Sequence, residues 1–194
     1  GNIVLMGIGK SGNIAAKISS TFSSTGTPSF YLNAAEASHG DLGSLKKNDI
    51  LVIFSFSGET EEIVQIFPAF KSKVRSIVSI TGNEESSIAK YSNLNLHLEI
   101  SEEACPLNLA PTTSSSAMLI LGDALAIAIL EARKFSPEDF AKNHPGGKLG
   151  KSLLKVKDLM ISGNSLPLIS DSAPMKDVIY EISNKGLGLT LVKD

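Results

Sequence analysis

Cysteine is almost missing: Cys105 is the single one in 194 residues. One cysteine excludes an intramolecular disulfide and fits a reducing, cytoplasmic compartment. An isolated cysteine reads as a small hydrophobe rather than a nucleophile. Histidine is also scarce. His39, His97 and His144 show no metal-ligand spacing, so no metal site is expected. Neither sign of charge is in excess: 18 Lys and Arg face 20 Asp and Glu, a formal net charge of −2. That balance gives no electrostatic pull toward nucleic acid or an anionic membrane, and neither is expected as a partner. A long apolar run is lacking too. The longest, Ala117 to Leu130, is short for a bilayer span and is interrupted by Gly122 and Asp123. No signal peptide is visible. Gly1 opens on a strand-like run rather than a start Met, so an N-terminal part is expected to precede it.

What is present is a globular composition, 42% hydrophobic and 20% charged, long enough for one domain and a fragment of another. Ile3–Met6, Ser29–Leu32, Leu51–Ser55 and Ser76–Ile80 read as strands. Leu94, Leu96, Leu98 and Ile100 alternate with Asn95, His97 and Glu99, which predicts a half-exposed fifth strand at the sheet edge. His97 then faces solvent and receives no role. Helices are expected over Asn13–Ser23, Glu59–Lys71 with Pro68 kinking or ending it, Glu84–Lys90 and Thr113–Lys134. A further helix starts at Ser136-Pro137-Glu138-Asp139, and Ala34–Gly43 reads as a loop or short helix. The Thr113–Lys134 run is apolar nearly all round, which predicts burial against the sheet or a second subunit.

Strands alternating with helices give an α/β fold, a five-stranded parallel sheet between two helical layers. Ligands of such sheets bind beyond the C-terminal ends of the strands. From about Leu154 the pattern changes. Residues 153–194 are too few to bury a core of their own and read as the opening of a second domain.

The stretch Leu51-Val52-Ile53-Phe54-Ser55-Phe56-Ser57-Gly58-Glu59-Thr60-Glu61-Glu62 runs from a buried strand through a hydroxyl-rich turn into a helix. Amides and dipole at such a helix start attract an anion, and Ser55, Ser57 and Thr60 can hydrogen-bond it. This reads as a phosphate cradle; the plainer alternative is a Ser/Thr helix cap. Gly7-x-Gly9-x-x-Gly12 matches a dinucleotide fingerprint. Two features oppose it: no acid ends the second strand at Leu32-Asn33, and Lys10 stands where small residues are favoured. Val4 also excludes a P-loop. The turn instead presents Lys10 and Ser11 to a small phosphorylated ligand.

Two acids at Glu61 and Glu62 would repel that anion unless one has a chemical task. Glu102 and Glu103 follow the fifth strand at the same edge, His144 lies in a rigid Asn-His-Pro-Gly-Gly turn, and His39 has acids nearby. Carboxylates, an imidazole, a lysine and a phosphate cradle suit proton abstraction next to a carbonyl. Lys10 would supply positive charge to the developing oxyanion. The residues alone therefore suggest a phosphosugar site of isomerase type.

Ser55-x-Ser57-Gly58-x-Thr60 resembles the signature of sugar isomerase (SIS) domains. Gly9-Lys10-Ser11-Gly12, Ser24-Thr25-Gly26-Thr27-Pro28, Glu36-Ala37-x-His39-Gly40-Asp41, Glu103-Ala104-Cys105-Pro106-Leu107 and His144-Pro145-Gly146-Gly147 extend the resemblance to arabinose-5-phosphate isomerases. The resemblance implies a flavodoxin-like SIS domain over residues 1–152 and the beginning of a CBS domain over residues 153–194. It implies interconversion of D-ribulose 5-phosphate and D-arabinose 5-phosphate, feeding 3-deoxy-D-manno-octulosonate and lipopolysaccharide synthesis. It also implies a homotetramer with active sites at subunit interfaces, no cofactor, and a nucleotide or sugar-nucleotide ligand at the CBS region. Lys10, Glu62, Glu103 and His144 match the family's catalytic positions. Ser11, Ser55, Ser57, Gly58 and Thr60 fall in the ligand-binding motifs, and Gly26, Thr27 and His39 match substrate-contacting positions. Asn33 departs from the pattern: some members carry a metal-binding His there, so no metal is assigned.

The expected mechanism docks the phosphate at the central turn and uses His144 to open the furanose. A carboxylate then moves a proton between C1 and C2 through a cis-enediol, with Glu103 favoured over Glu62 as this base. The competing functions are a sugar-phosphate-sensing SIS regulator without catalysis and an isomerase for another phosphosugar. The set Lys10, Glu62, Glu103 and His144 favours an enzyme, because sensing needs only the cradle.

Overall fold

The structure is a computed structural model of the chain and describes residues 1–147, 151–152 and 154–193. Lys148, Leu149, Gly150, Asp194 and Leu153, the last at the expected domain boundary, lie outside the described residues. Two compact units are present, Gly1–Gly150 and Lys151–Asp194.

The first unit is a parallel sheet of β1 (Ile3–Gly7), β2 (Ser29–Asn33), β3 (Ile50–Phe54), β4 (Ser76–Thr81) and β5 (Leu94–His97), in the spatial order β2-β1-β3-β4-β5. This is the flavodoxin-like order, in which the chain reverses direction across the sheet between β1 and β3. Side chains alternate between the two faces because the strand period is 2. Val4, Met6, Leu51, Ile53 and Ile77 face one helical layer, built from α2 (Ala34–Ala37), α3 (Glu61–Lys73) and α4 (Ser87–Tyr91). Leu5, Val52, Phe54 and Ile80 face the other, built from α1 (Gly9–Ser24) and α5 (Thr113–Ala132). The expected three-layer sandwich is what forms, and β5 is the half-exposed edge strand. A short α6 (Pro137–Asn143) follows, with Ser136 and Asp139 forming a capping box.

Two local expectations are corrected. The first helix starts at Gly9, not Asn13, so Lys10 and Ser11 lie in its first turn rather than in a loop. Gly12 sits inside that helix because a Cβ would overlap the Tyr31 hydroxyl, which donates to the Gly7 carbonyl at 2.9 Å. Second, Pro68 does not end α3, which runs through it to Lys73. A helix-interior proline costs about 3 kcal/mol, but Ile63, Phe67 and Phe70 are fully buried. Each such burial contributes roughly 1.5–3 kcal/mol, so the packing wins.

Within one chain α5 buries a single face. Met118, Gly122 and Ala126 pack inward, with Gly122 against Ile18 of α1, while Ile120 is 70% and Ile127 47% exposed. This 20-residue helix has a mean hydropathy of 1.7 and is long and apolar enough, by composition alone, to cross a membrane. Its contacts are instead with α1 over the sheet.

In the second unit β6 (Leu168–Ser170) and β7 (Leu191–Lys193) pair in parallel around the helix Met175–Lys185. Met175, Ile179, Tyr180 and Val192 remain exposed, as expected of a segment with too few residues for a core.

Candidate active site

Because the sheet is parallel, loops that leave the strands gather at its C-terminal edge, and the helices after β1 and β3 start on either side of the reversal point. Lys10 and Ser11 come from the start of α1, and Ser55–Thr60 lead into α3. Glu62 is exposed in the first turn of α3. His39, beyond α2, is at the same edge and exposed.

The turn after β3 is built from its own hydroxyls. Ser55, only 1% exposed, lies 2.7 Å from the Thr60 hydroxyl and accepts from the Gly58 amide at 3.2 Å. Ser57 is exposed and accepts from the Glu59 amide. Gly58 has φ +66, and a Cβ there would overlap the Ser86 side chain. Glu59 reaches the Ser87 amide at 2.8 Å, which joins the turn to the start of α4. Thr60 occupies the cap position of α3, yet its side chain makes no cap hydrogen bond because it turns to Ser55. This argues against the ordinary helix cap. The Ile63 amide donates to the Thr60 carbonyl at 3.0 Å, so the amides Thr60 leaves to another partner are those of Glu61 and Glu62. The contact with Thr60 also makes Ser55 a brace of the turn rather than an exposed ligand contact.

Glu103 meets α5 in the opposite manner. Its carboxylate accepts from the Thr112 amide at 2.7 Å, the Ser114 amide at 3.1 Å and the Ser114 hydroxyl. Partial burial pushes this carboxyl up, but the Ser114 hydroxyl and the Thr112, Ser114 and Thr113 amides together outweigh it and hold it at about 2. The Glu103 amide donates to the Asn108 side chain, closing the loop. Cys105 is half-buried in that loop, and the Ala110, Leu107 and Leu109 amides lower its thiol.

A cavity of about 380 Å³ opens between these parts, lined by Ser11, Phe56, Glu102, Glu103, Asn108 and Ser114 among others. It joins the loops after β1, β3 and β5.

Three expected site residues lie elsewhere. Gly26 and Thr27 connect α1 to β2 and so sit at the N-terminal edge of the sheet. Gly26 (φ +84) packs under Phe135, and Thr27 is buried and accepts from the Arg133 guanidinium at 3.2 Å. His144 belongs to the same edge, since neighbouring Asn143 donates to the Ser24 carbonyl at 3.4 Å. The His144 ring stacks on Phe140 at 3.9 Å, and its Nδ1 lies 2.9 Å from the Phe140 carbonyl. A carbonyl only accepts, so Nδ1 carries the proton and Nε2 is the nitrogen left for chemistry.

An anion-ready helix start at the reversal point of a 2-1-3-4-5 sheet agrees with the comparisons. A family model described as "SIS domain" matches residues 1–128. The chain belongs to the SIS domain family. It is 50% identical over its whole length to "Arabinose 5-phosphate isomerase KdsD" of Pseudomonas aeruginosa and 47% identical to that of Escherichia coli K12. The chain spans 60% of the length of each. The solved structure of an Escherichia coli CFT073 protein in complex with arabinose 5-phosphate superposes with a TM-score of 0.73 at 44% identity, covering 75% of this chain and 77% of that one.

Within this SIS domain one chain therefore gathers Lys10, Ser11, His39, Ser55, Ser57, Gly58, Thr60, Glu62 and Glu103 at one edge. Gly26, Thr27 and His144 are at the other. Among the described residues no group of three or more His, Cys, Asp or Glu could hold a metal ion. Asn33, the departure from the pattern, caps α2 by accepting from the Ala35 amide at 2.9 Å. Phe56, Thr112, Ser114 and Arg133 were not singled out from sequence. The hydroxyl run Thr112–Ser116 at the start of an apolar helix was the available signal for two of them.

Proposed function

We propose that the whole protein is a cytoplasmic aldose–ketose isomerase that interconverts D-ribulose 5-phosphate and D-arabinose 5-phosphate. The observation that carries this reading is the α3 start at the reversal point, with Thr60 turned onto Ser55 and acids and Lys10 at the same edge. The names of the two curated relatives, and the arabinose 5-phosphate complex of the solved neighbour, supply the substrate. The product would feed 3-deoxy-D-manno-octulosonate and lipopolysaccharide synthesis.

The substrate phosphate rests on the first amides of α3 with Ser57, Gly58 and Thr60 around it. Glu62 takes a proton from C1 of the ketose, and the electron pair forms the C1=C2 bond of a cis-enediolate with charge on O2. Lys10 stabilises that charge. The proton returns at C2, O2 gains a proton and O1 loses one, leaving the aldehyde. The sequence-based preference for Glu103 as base is reversed here, because a carboxyl held at about 2 is a poor proton acceptor near neutral pH. Glu103 instead serves as a fixed anionic acceptor for substrate hydroxyls on the cavity wall. His144, through Nε2, opens the furanose.

His144, Gly26 and Thr27 reach the substrate only if a second copy brings its N-terminal sheet edge to the first copy's cavity. We therefore assign interface active sites in a homotetramer, with the exposed Ile120 and Ile127 of α5 available for burial. Residues 153–194 are assigned to the opening of a CBS domain, a point where a nucleotide or sugar nucleotide would be sensed. Its parallel β6–helix–β7 unit supports that assignment.

The test is to assay full-length protein on ribulose 5-phosphate, with hexose and other pentose phosphates as controls. Formation of arabinose 5-phosphate is expected. Failure to form it while another phosphosugar turns over would replace the substrate, and no turnover at all would remove the enzyme reading.

A further inference from the structure

We propose that Ser114 is a positioning residue for this site: its hydroxyl and amide fix the Glu103 carboxylate, as an anion, on the wall of the substrate cavity. The inference deepens the isomerase reading above and rests on it for the kinetic part of its test. Three observations lead to it. Ser114 is 2% exposed, so its hydroxyl has little access to solvent and is committed to its protein partner. It engages both carboxylate oxygens, its hydroxyl meeting Oε1 and its amide donating to Oε2 at 3.1 Å. Ser114 and Glu103 both line the 380 Å³ cavity that Ser11 and Phe56 complete, so the fixed carboxylate borders the space a ligand would fill.

The Thr112 and Ser114 amides are served by Glu103 Oε2, so capping of the helix start does not require the further contact from the Ser114 hydroxyl to Oε1. A serine at the cap position normally satisfies the amides two or three residues on, and here the serine is inside the helix with its hydroxyl spent on a carboxylate eleven residues earlier. Two-point contact fixes the direction of the carboxylate as well as its place. The Thr112 amide and hydroxyl both donate to Oε2, and contact at that one oxygen would leave the carboxylate free to rotate. The chemistry served is a hydrogen bond from substrate hydroxyls, which requires the carboxylate to be ionised and correctly turned. Among the described residues Glu102 is the one other titratable side chain lining the cavity, and Lys10 directly precedes the cavity-lining Ser11 in sequence. A like charge at Glu102 would favour protonation of Glu103, and the Ser114 contacts oppose that.

Ser114→Ala, Ser114→Thr and Ser116→Ala in the full-length protein test the idea, with Ser116 on the exposed face of the same helix turn. The first readout is the titration of the Glu103 side-chain carboxyl by 13C NMR, assigned with Glu103→Gln, and it needs no activity. In Ser114→Ala the midpoint is expected to climb from about 2 toward the ordinary 4.5, with Ser114→Thr restoring much of the shift and Ser116→Ala none of it. The second readout is kcat/KM for ribulose 5-phosphate against pH. Ser114→Ala is expected to lose about tenfold near neutral pH and to gain an acid limb that moves with the NMR midpoint, while Ser114→Thr recovers. An unmoved Glu103 midpoint in a folded Ser114→Ala overturns the proposal. So does a rate loss of equal size in Ser114→Ala and Ser114→Thr with no change in the acid limb, since that marks packing alone. If the wild type does not turn over ribulose 5-phosphate, the substrate reading fails while the NMR arm still decides the clamp.

Discussion

Two helices begin at the same edge of the sheet and treat their first amides in opposite ways. At α5 the chain supplies its own anion, with Glu103 resting on the Thr112 and Ser114 amides. At α3 the nearest hydroxyls are turned on each other, Ser55 to Thr60, and the Thr60 side chain makes no bond to the helix amides. The dipole points the same way at both starts. What separates them is whether the sequence fills the site in advance. A filled start is structural and fixes a carboxylate; a start the cap residue does not fill suits a charged ligand. A third start, α6, shows the ordinary solution, with Ser136 accepting from the Asp139 amide at 3.1 Å.

The contrast breaks most decisively at the two carboxylates. Glu62→Gln is expected to lower kcat by about 10²-fold or more, the scale of general base catalysis, and Glu103→Gln by about tenfold. Reversed losses in steady-state assays would put the base on the filled helix start. Next comes the grip on phosphate. Ser57→Ala with Thr60→Ala should raise KM for ribulose 5-phosphate about tenfold, roughly 1.4 kcal/mol, and weaken competition by inorganic phosphate in parallel. An unchanged KM would move the phosphate away from α3.

Stability gives a smaller handle. Gly58→Ala forces a side chain into a positive-φ backbone and onto Ser86, a cost of about 1–3 kcal/mol readable by urea unfolding. Acid separates the two starts as well. The Glu103 carboxyl sits lower in the fold, about 2, than its ordinary 4.5. Its contribution is therefore whole above about pH 4.5 and is lost as pH falls toward 2. The loss of stability on acidification through that window should be shallower in Glu103→Gln than in the wild type. Ser136→Ala should cost about 1 kcal/mol and leave KM alone, as expected of a plain cap.

Much of this was legible from the chain. Buried strands at Ile3–Met6 and Leu51–Phe54, helical runs between them and the polar turn at Ser55–Thr60 announce a parallel sheet with a site at its C-terminal edge. No edge was read for Gly26 and Thr27 from the sequence, although a helix-to-strand loop in such a sheet lies at the opposite end from a strand-to-helix loop. The position of His144 was not legible, because it depends on how far α5 runs before α6 turns back toward Ser24. The Glu103 clamp was hidden for a different reason. Its partners are nine and eleven residues away, across a loop whose path depends on Asn108, and no periodicity encodes such a closure. Pro68 does not end the helix because its cost is local, while the burial that offsets it comes from the whole helical layer.

The length of α5 has a consequence for mixtures. Its 20 residues span roughly 30 Å and hold Glu103 at one end and the approach to His144 at the other, so under the proposed interface sites each copy carries two unlike halves of a site. A Glu62→Gln chain has a sound histidine half, and a His144→Ala chain has a sound carboxylate half. Refolded together, two preparations that are inactive alone should regain turnover, because some mixed assemblies join the sound half of one chain to the sound half of the other.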